Sequence, residues 1–209
     1  MTASFSAIRD HYGAPAPTRA ATLPPPTRTR FQPPTASLAE RGELVRLEDG
    51  RLLRLRPIRA ADAVAMQRTF QRLSPEEVRM RFLHVLTTLS DHTAARLCDI
   101  DWDREAAFVL TDDAPPERAE IHGVARIYID AVTESAEFAV LVEQAWTGHG
   151  LGALLMAQLI RDCRRRGLRE LWGYVLVENH RMLELCEELG FVRSRVPGDA
   201  TTVKVALAL

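Results

Sequence analysis

The stretch EQAWTGHGLGALLMAQLIRDCRRRG, Glu143 to Gly167, constrains the fold more than any other part of the chain. Gly148, Gly150 and Gly152 alternate ahead of an amphipathic helix and clear the side chains from the loop. Behind them Leu151, Leu155, Leu159 and Cys163 share one face of a helix over about residues 151–166, and Gly167 stands where a glycine ends it. SAEFAVLV upstream and ELWGYVLV downstream read as strands. Strand, glycine loop, helix and strand in that order call for one parallel crossover within a sheet. Bare amides at the positive end of a helix dipole suit a phosphate; a tight turn packed on its own sheet needs fewer glycines.

The rest of the chain sets that crossover in a mixed sheet. ELVRLEDGRLLRLRPI reads as two short strands about Asp49-Gly50, a hairpin signal. Helices follow over about Ala60–Arg72, from Pro75 in LSPEEVRMRF, and over about Asp91–Cys98. Ser74, Pro75 and Glu77 form a capping box with proline at the first helical position. Strands are predicted at Ala106–Thr111, Ile121–Asp130 and Ala136–Val142. Asn179 caps a helix with Met182, Leu185, Cys186 and Leu189 on one face, stopped by Gly190; FVRSRV and TTVKVALAL close the chain as a strand pair. The expected fold class is α/β, a mixed, mostly antiparallel central sheet with one parallel crossover, flanked by helices.

Seven of the 12 prolines fall in residues 1–42, which lack apolar periodicity and read as a disordered tail ahead of one domain over 43–209. The tail is rich in Arg, Ser and Thr, but its prolines would break the amphipathic helix of a transit peptide. A net charge of −1 gives no global case for nucleic acid, and no apolar run suits a membrane span or a secretory signal. Cys98, Cys163 and Cys186 suggest neither a metal site nor a disulfide framework, so a cytoplasmic protein is expected. Lys204 is the sole lysine among 27 basic residues. Codon bias accounts for that more simply than avoidance of lysine by a protein that handles lysine chemistry.

Three phosphate motifs compete for the glycine loop. A P-loop needs Lys-Ser/Thr after its last glycine, where Ala153-Leu154 stand. The dinucleotide fingerprint matches at Gly148, Gly150 and Ala153, with Glu178 ending the next strand, but it normally opens a series of βαβ units. The third motif fits better. WTGHGLGALL followed by VLVENHRMLELCEELGF resembles the GNAT superfamily of N-acetyltransferases. LRPIRAADA, LSPEEVRMRF, DIDWDREAAFVL and AEFAVLVE narrow the resemblance to the acetyltransferase domain of bacterial Pat-type protein lysine acetyltransferases, over Leu44 to Leu209.

The resemblance implies acetyl-CoA as cosubstrate and no metal. Its pyrophosphate would meet the loop from Thr147 and Gly148 through His149, Gly150, Leu151 and Gly152 to Ala153. Val140, Leu141 and Val142 would pair with the pantetheine arm, and Asn179 would meet that arm between splayed strands. The family prefers Gln or Arg where Thr147 stands, so weaker anchoring is expected. The His149 side chain either adds charge to the phosphates or is merely solvated. Pat-type proteins usually join this domain to an acyl-CoA synthetase-like or cyclic-nucleotide-binding region, for which 209 residues leave no room.

Acetyl transfer needs a neutral amine, and at pH 7 only about one lysine in two thousand is uncharged, so a base is required. Spacing leaves Glu137 open between a solvated strand position and a functional carboxylate; the resemblance implies a general base, acting directly or through water. Glu134 and Glu143 fall in turn-like context and read as solvated. Cys186 stands where many superfamily members have a thiolate-protonating tyrosine, which the Pat-like subgroup also tends to lack. Its apolar helix face makes it core rather than an acyl carrier, and Tyr128 and Tyr174 remain weak donor candidates. Asp99, Asp101, Asp103 and Glu105 either attract a cationic acceptor or form a solvated acidic loop. The expected activity is acetyl transfer to a primary amine by direct attack in a ternary complex, a protein lysine leading. A small amine such as a polyamine or antibiotic, and a non-catalytic acyl-CoA sensor, stand as alternatives.

Overall fold

The structure is a computed structural model that describes residues 42–82, 88–115 and 118–209. The tail expected over residues 1–42 lies, but for Gly42, outside them. Strands β1 (Glu43–Arg46) and β2 (Leu52–Pro57) form the hairpin about Asp49-Gly50, where Gly50 takes φ +87°. A 3₁₀ turn at Ala60–Asp62 leads into α1 (Ala63–Arg72), and α2 (Pro75–Phe82) and α3 (Asp91–Cys98) follow. The α2 capping box forms as predicted: Ser74 N–H donates to Glu77 Oε2 (2.8 Å) and Glu77 N–H to Ser74 Oγ (3.2 Å). Ser90 caps α3 by accepting from Thr93 N–H.

Strands β3 (Glu105–Asp112), β4 (Ile121–Asp130) and β5 (Ser135–Val142) run antiparallel in sequence. The crossover follows through α4 (Leu151–Arg165) to β6 (Glu170–Leu176), then α5 (His180–Glu188), β7 (Val192–Val196) and β8 (Asp199–Ala208). The eight strands of the described residues form one sheet in the order β1-β2-β3-β4-β5-β6-β8-β7, in which only β5 and β6 pair in parallel. The α4 terminus is a Schellman turn: Leu168 N–H reaches Cys163 O, Gly167 N–H reaches Arg164 O, and Gly167 takes φ +70°.

Alternation assigns the faces of the sheet. Ala136 and Phe138 of β5 join Phe108, Leu110, Ala125 and Ile127 against Leu151, Leu155, Leu159 and Cys163 of α4. On the other side α1 and α3 contribute Ala65, Met66 and Cys98 to a second cluster with Ala107 and Val109. In α5 the buried residues are Leu183 and Cys186, while Met182, Leu185 and Leu189 are partly buried, so the apolar face is broader than the sequence suggested. At Gly173 of β6 an added Cβ would lie 2.8 Å from the Phe138 ring, which is itself held edge-on by Phe191. Gly173→Ala is therefore expected to destabilise the fold by about 1–3 kcal/mol through overpacking. A urea titration that leaves the midpoint unchanged would show that Phe138 can move aside.

Candidate active site

Strands β5 and β6 pair only from Ser135↔Glu170 to Glu137↔Trp172. Beyond Glu137 they part, and the β5 edge that faces β6 has no strand partner among the described residues. A cleft of about 990 Å³ opens there. Val140, Leu141 and Val142 line it along the released edge, and Asn179 lines it beyond the end of β6. The Asn179 carboxamide oxygen accepts from Met182 N–H (3.2 Å), capping α5.

The glycine loop forms the far end of the cleft. Gly148 and Gly150 take φ +83° and +73°, the left-handed region that favours glycine. The first helical bond of α4 is Leu154 N–H to Gly150 O (3.0 Å). Among the described residues the amides of Gly148, His149, Gly150, Leu151, Gly152 and Ala153 meet no acceptor. Unpaired donors at the positive end of a helix are an anion cradle, and a Cβ at Gly148 or Gly150 would meet no atom of the described residues within 4 Å beyond its chain neighbours.

Of the residues predicted to meet the cosubstrate, Val140, Leu141, Val142, Thr147, Gly148, Gly150, Leu151, Gly152, Ala153 and Asn179 all line the cleft. His149 is the exception. Its ring leaves the cleft, lying 2.9 Å from Arg51 Nη2 and 3.4 Å from Asp49 Oδ2 of the β1–β2 hairpin. Only its backbone remains in the loop. Arg181, which the sequence reading passed over, lines the cleft and donates to Thr147 Oγ1 (3.1 Å). A guanidinium thus reaches the place where the family prefers Gln or Arg. The Asn179 cap was the available signal, because it fixes Arg181 in the first turn of α5.

Glu137 occupies the last paired position before the strands part and is only 5% exposed. No hydrogen bond reaches its carboxylate among the described residues. Burial pushes its pKa up to about 7, against partial relief from the positive charge of Arg81 on α2. Tyr128 lies opposite it on β4, and Trp172 and Tyr174 share its face on β6, edge to face with each other. Burial and then the Glu137 charge push the Tyr174 pKa up, so Tyr174 keeps its phenolic proton.

The other sequence readings hold for the cysteines and for most of the acidic loop, and fail at Glu143 and Glu105. Burial pushes the Cys186 thiol up to about 11 and that of Cys163 to about 12, which suits core residues and not nucleophiles. Glu143, read as solvated, is buried and bonded to Arg72 and His122, side chains distant in sequence. Glu105 leaves the acidic loop for the interior, paired with Arg126 (2.8 Å) and Arg96 (2.6 Å). Asp99, Asp101 and Asp103 are exposed. No cluster of His, Cys, Asp and Glu among the described residues could hold a metal ion, and no helix there is long and apolar enough to cross a membrane.

Comparison with known proteins bears on this geometry. The acetyltransferase (GNAT) family model matches residues 70–191. An acetyltransferase of Pseudomonas aeruginosa is 36% identical over 163 residues, 78% of this chain and 87% of that protein. The crystal structure of the GNAT domain of S. lividans PAT superposes with a TM-score of 0.71 at 25% identity, covering 80% of this chain and 96% of that one. A cAMP-binding acyltransferase from Mycobacterium smegmatis shares the fold at 23% identity and a TM-score of 0.54, and this chain spans 47% of its length.

Proposed function

The chain belongs to the GNAT family of acetyltransferases, and on that premise we propose that it moves an acetyl group from acetyl-CoA to a lysine side chain of a protein substrate. The observation that carries the reading is a buried Glu137, with no hydrogen bond to its carboxylate among the described residues, at the point where β5 and β6 separate. The cleft fits acetyl-CoA: unpaired amides and Arg181 suit its phosphates, and the released β5 edge suits the amides of its pantetheine arm. Acetyl-CoA supplies the acyl group, activated as a thioester. Val140, Leu141 and Val142 hold the arm in line with the sheet, which aims it at the gap beside Glu137.

Glu137, as the carboxylate, takes the proton from the ammonium of the acceptor, directly or through one water, and frees its lone pair for attack. A pKa of about 7 suits this work, because the base is ionised at neutral pH yet basic enough to draw the proton. Tyr174, on the same face and protonated, is the candidate to give a proton to the leaving sulfur. Tyr128, Trp172 and Tyr174 give the acceptor side aromatic walls beside a carboxylate, a setting that attracts a cationic amine. The protein-lysine acceptor draws further support from the likeness to the S. lividans PAT domain over nearly that whole domain.

Thiol release from acetyl-CoA, followed with a lysine-containing peptide panel, spermidine and an aminoglycoside, tests the reading. Turnover is expected to be fastest with the peptides. Turnover confined to spermidine or the aminoglycoside would replace the protein substrate by a small amine. Binding of CoA with no turnover on any amine would make the chain an acyl-CoA sensor.

A further inference from the structure

A set of charges lies directly beneath the turn that enters the glycine loop. His122, near the start of β4, is buried, with Nδ1 2.8 Å from Glu143 Oε2 and Nε2 2.7 Å from Asp112 Oδ1. Each ring nitrogen therefore faces a carboxylate oxygen at hydrogen-bond distance. A neutral imidazole has one N–H and could donate to only one of them; the imidazolium donates to both. Burial alone would lower the pKa of His122, but the Glu143 and Asp112 carboxylates outweigh it and hold the pKa above the ordinary histidine value.

The same ring carries the loop. Glu143 directly follows β5, and its N–H donates to His122 O (3.0 Å). It begins the 3₁₀ turn Gln144–Trp146, whose Trp146 N–H returns to Glu143 O (2.8 Å). The Trp146 indole stacks on His122 with centroids 4.2 Å apart and planes 29° apart, and Arg51 lies 4.0 Å from the same indole. Gln144 N–H donates to Glu77 Oε1 of α2 (2.6 Å). Thr147 and Gly148 follow at once. The other charges around the pair are Arg72 and Arg68 of α1 and Glu120 before β4, with Arg72 bonded to both Glu143 and Glu120.

We propose that His122 is the positioning residue of the phosphate-binding loop: as a cation clamped between Asp112 and Glu143 and stacked on Trp146, it fixes the turn that presents the loop amides, so acetyl-CoA binding weakens when the ring loses its proton. The inference rests on the acetyl-CoA reading of the cleft. Loss of the proton leaves one carboxylate against a nitrogen lone pair, and either Glu143 or the ring must move. Glu143 is the first residue of the turn and the ring is the floor under Trp146, so either movement shifts the loop. A raised pKa means that the clamp is complete below the ordinary histidine value and is lost as pH rises through the elevated one.

Calorimetry with CoA between pH 6 and pH 9 tests this on the parent and on His122→Gln, with the His122 ring titrated in parallel by NMR. Parent affinity is expected to fall about tenfold as the ring deprotonates, the scale of one charge-assisted hydrogen bond. His122→Gln is expected to bind about tenfold more weakly at low pH and to lose that pH dependence, and any dependence it keeps belongs to CoA itself. In turnover the change should appear in KM for acetyl-CoA and leave kcat at saturation intact. Glu143→Gln, which keeps an acceptor but not the charge, should shift affinity in the same direction if His122→Gln fails to fold. Equal affinities and equal pH profiles in parent and variant, or a ring titration that does not coincide with the loss of affinity, overturn the positioning role. A parent that binds no CoA at any pH instead overturns the acetyl-CoA reading beneath it.

Discussion

Glu137→Gln is expected to lower kcat by about a hundredfold to ten-thousandfold, the usual contribution of a positioned general base. The glutamine has the same shape but cannot take a proton from an ammonium. Glu137 does not line the cleft that holds the phosphate loop, so KM for acetyl-CoA should stay near the parental value. Equal falls in kcat and kcat/KM for the amine would mark an interaction made only in the transition state. The parental pH–rate profile should climb as Glu137 ionises and level off above about 7, and the variant should lack that inflection.

Stability moves the other way, which separates a lost base from a damaged fold. The folded pKa of Glu137 lies above the ordinary carboxylate value of 4.5, so the folded state holds this proton more tightly than the unfolded one. Its contribution is complete below about 4.5 and is lost as pH rises towards about 7. Glutamine carries no buried charge at any pH, so the variant should melt no lower than the parent at pH 8. Parental rates in Glu137→Gln with every amine would remove the carboxylate from the chemistry.

The sequence revealed whatever is set by neighbours in the chain. Asp49-Gly50 is its own hairpin signal, Ser74 and Glu77 bond each other across three residues, and Leu151 through Cys163 repeat at the helical period. The cleft residues were open to the same reading because loop, strand edge and cap are contiguous with the crossover. Residues whose environment comes from afar were not. Glu143 looks solvated within its own turn, yet Arg72 lies 71 residues away and His122 21 residues away, and together they bury it. Glu105 reads as one more acid in a run, but the fully buried Arg126 of β4 draws it inside. His149 is placed by a hairpin nearly a hundred residues earlier in the chain. Alternation put Glu137 on a face, but its burial depends on which helices cover that face, and only the fold decides that.

The second large effect is expected at Gly150. It caps α4 in the left-handed region, φ +73° and ψ 6°, where an alanine costs roughly 1–2 kcal/mol. Beyond its chain neighbours, no atom of the described residues lies within 4 Å of the place its Cβ would take, so they leave that space open. If the space is where the phosphates lie, any side chain there forces them off several amides at once, and each charge-assisted bond lost weakens binding by about tenfold or more. Gly150→Ala should therefore bind CoA about a hundredfold more weakly, and strain alone cannot explain a loss of that size. Gly150→Asn separates the two causes, because asparagine tolerates this backbone region and should melt near the parent, yet its side chain still fills the space. Gly198, in the β7–β8 turn with φ +80° and likewise no neighbour within 4 Å, supplies the control. Gly198→Ala should suffer the same backbone strain and bind CoA as the parent does. Parental affinity in Gly150→Asn would mean that the phosphates do not rest on these amides, and the active-site assignment would fall with them.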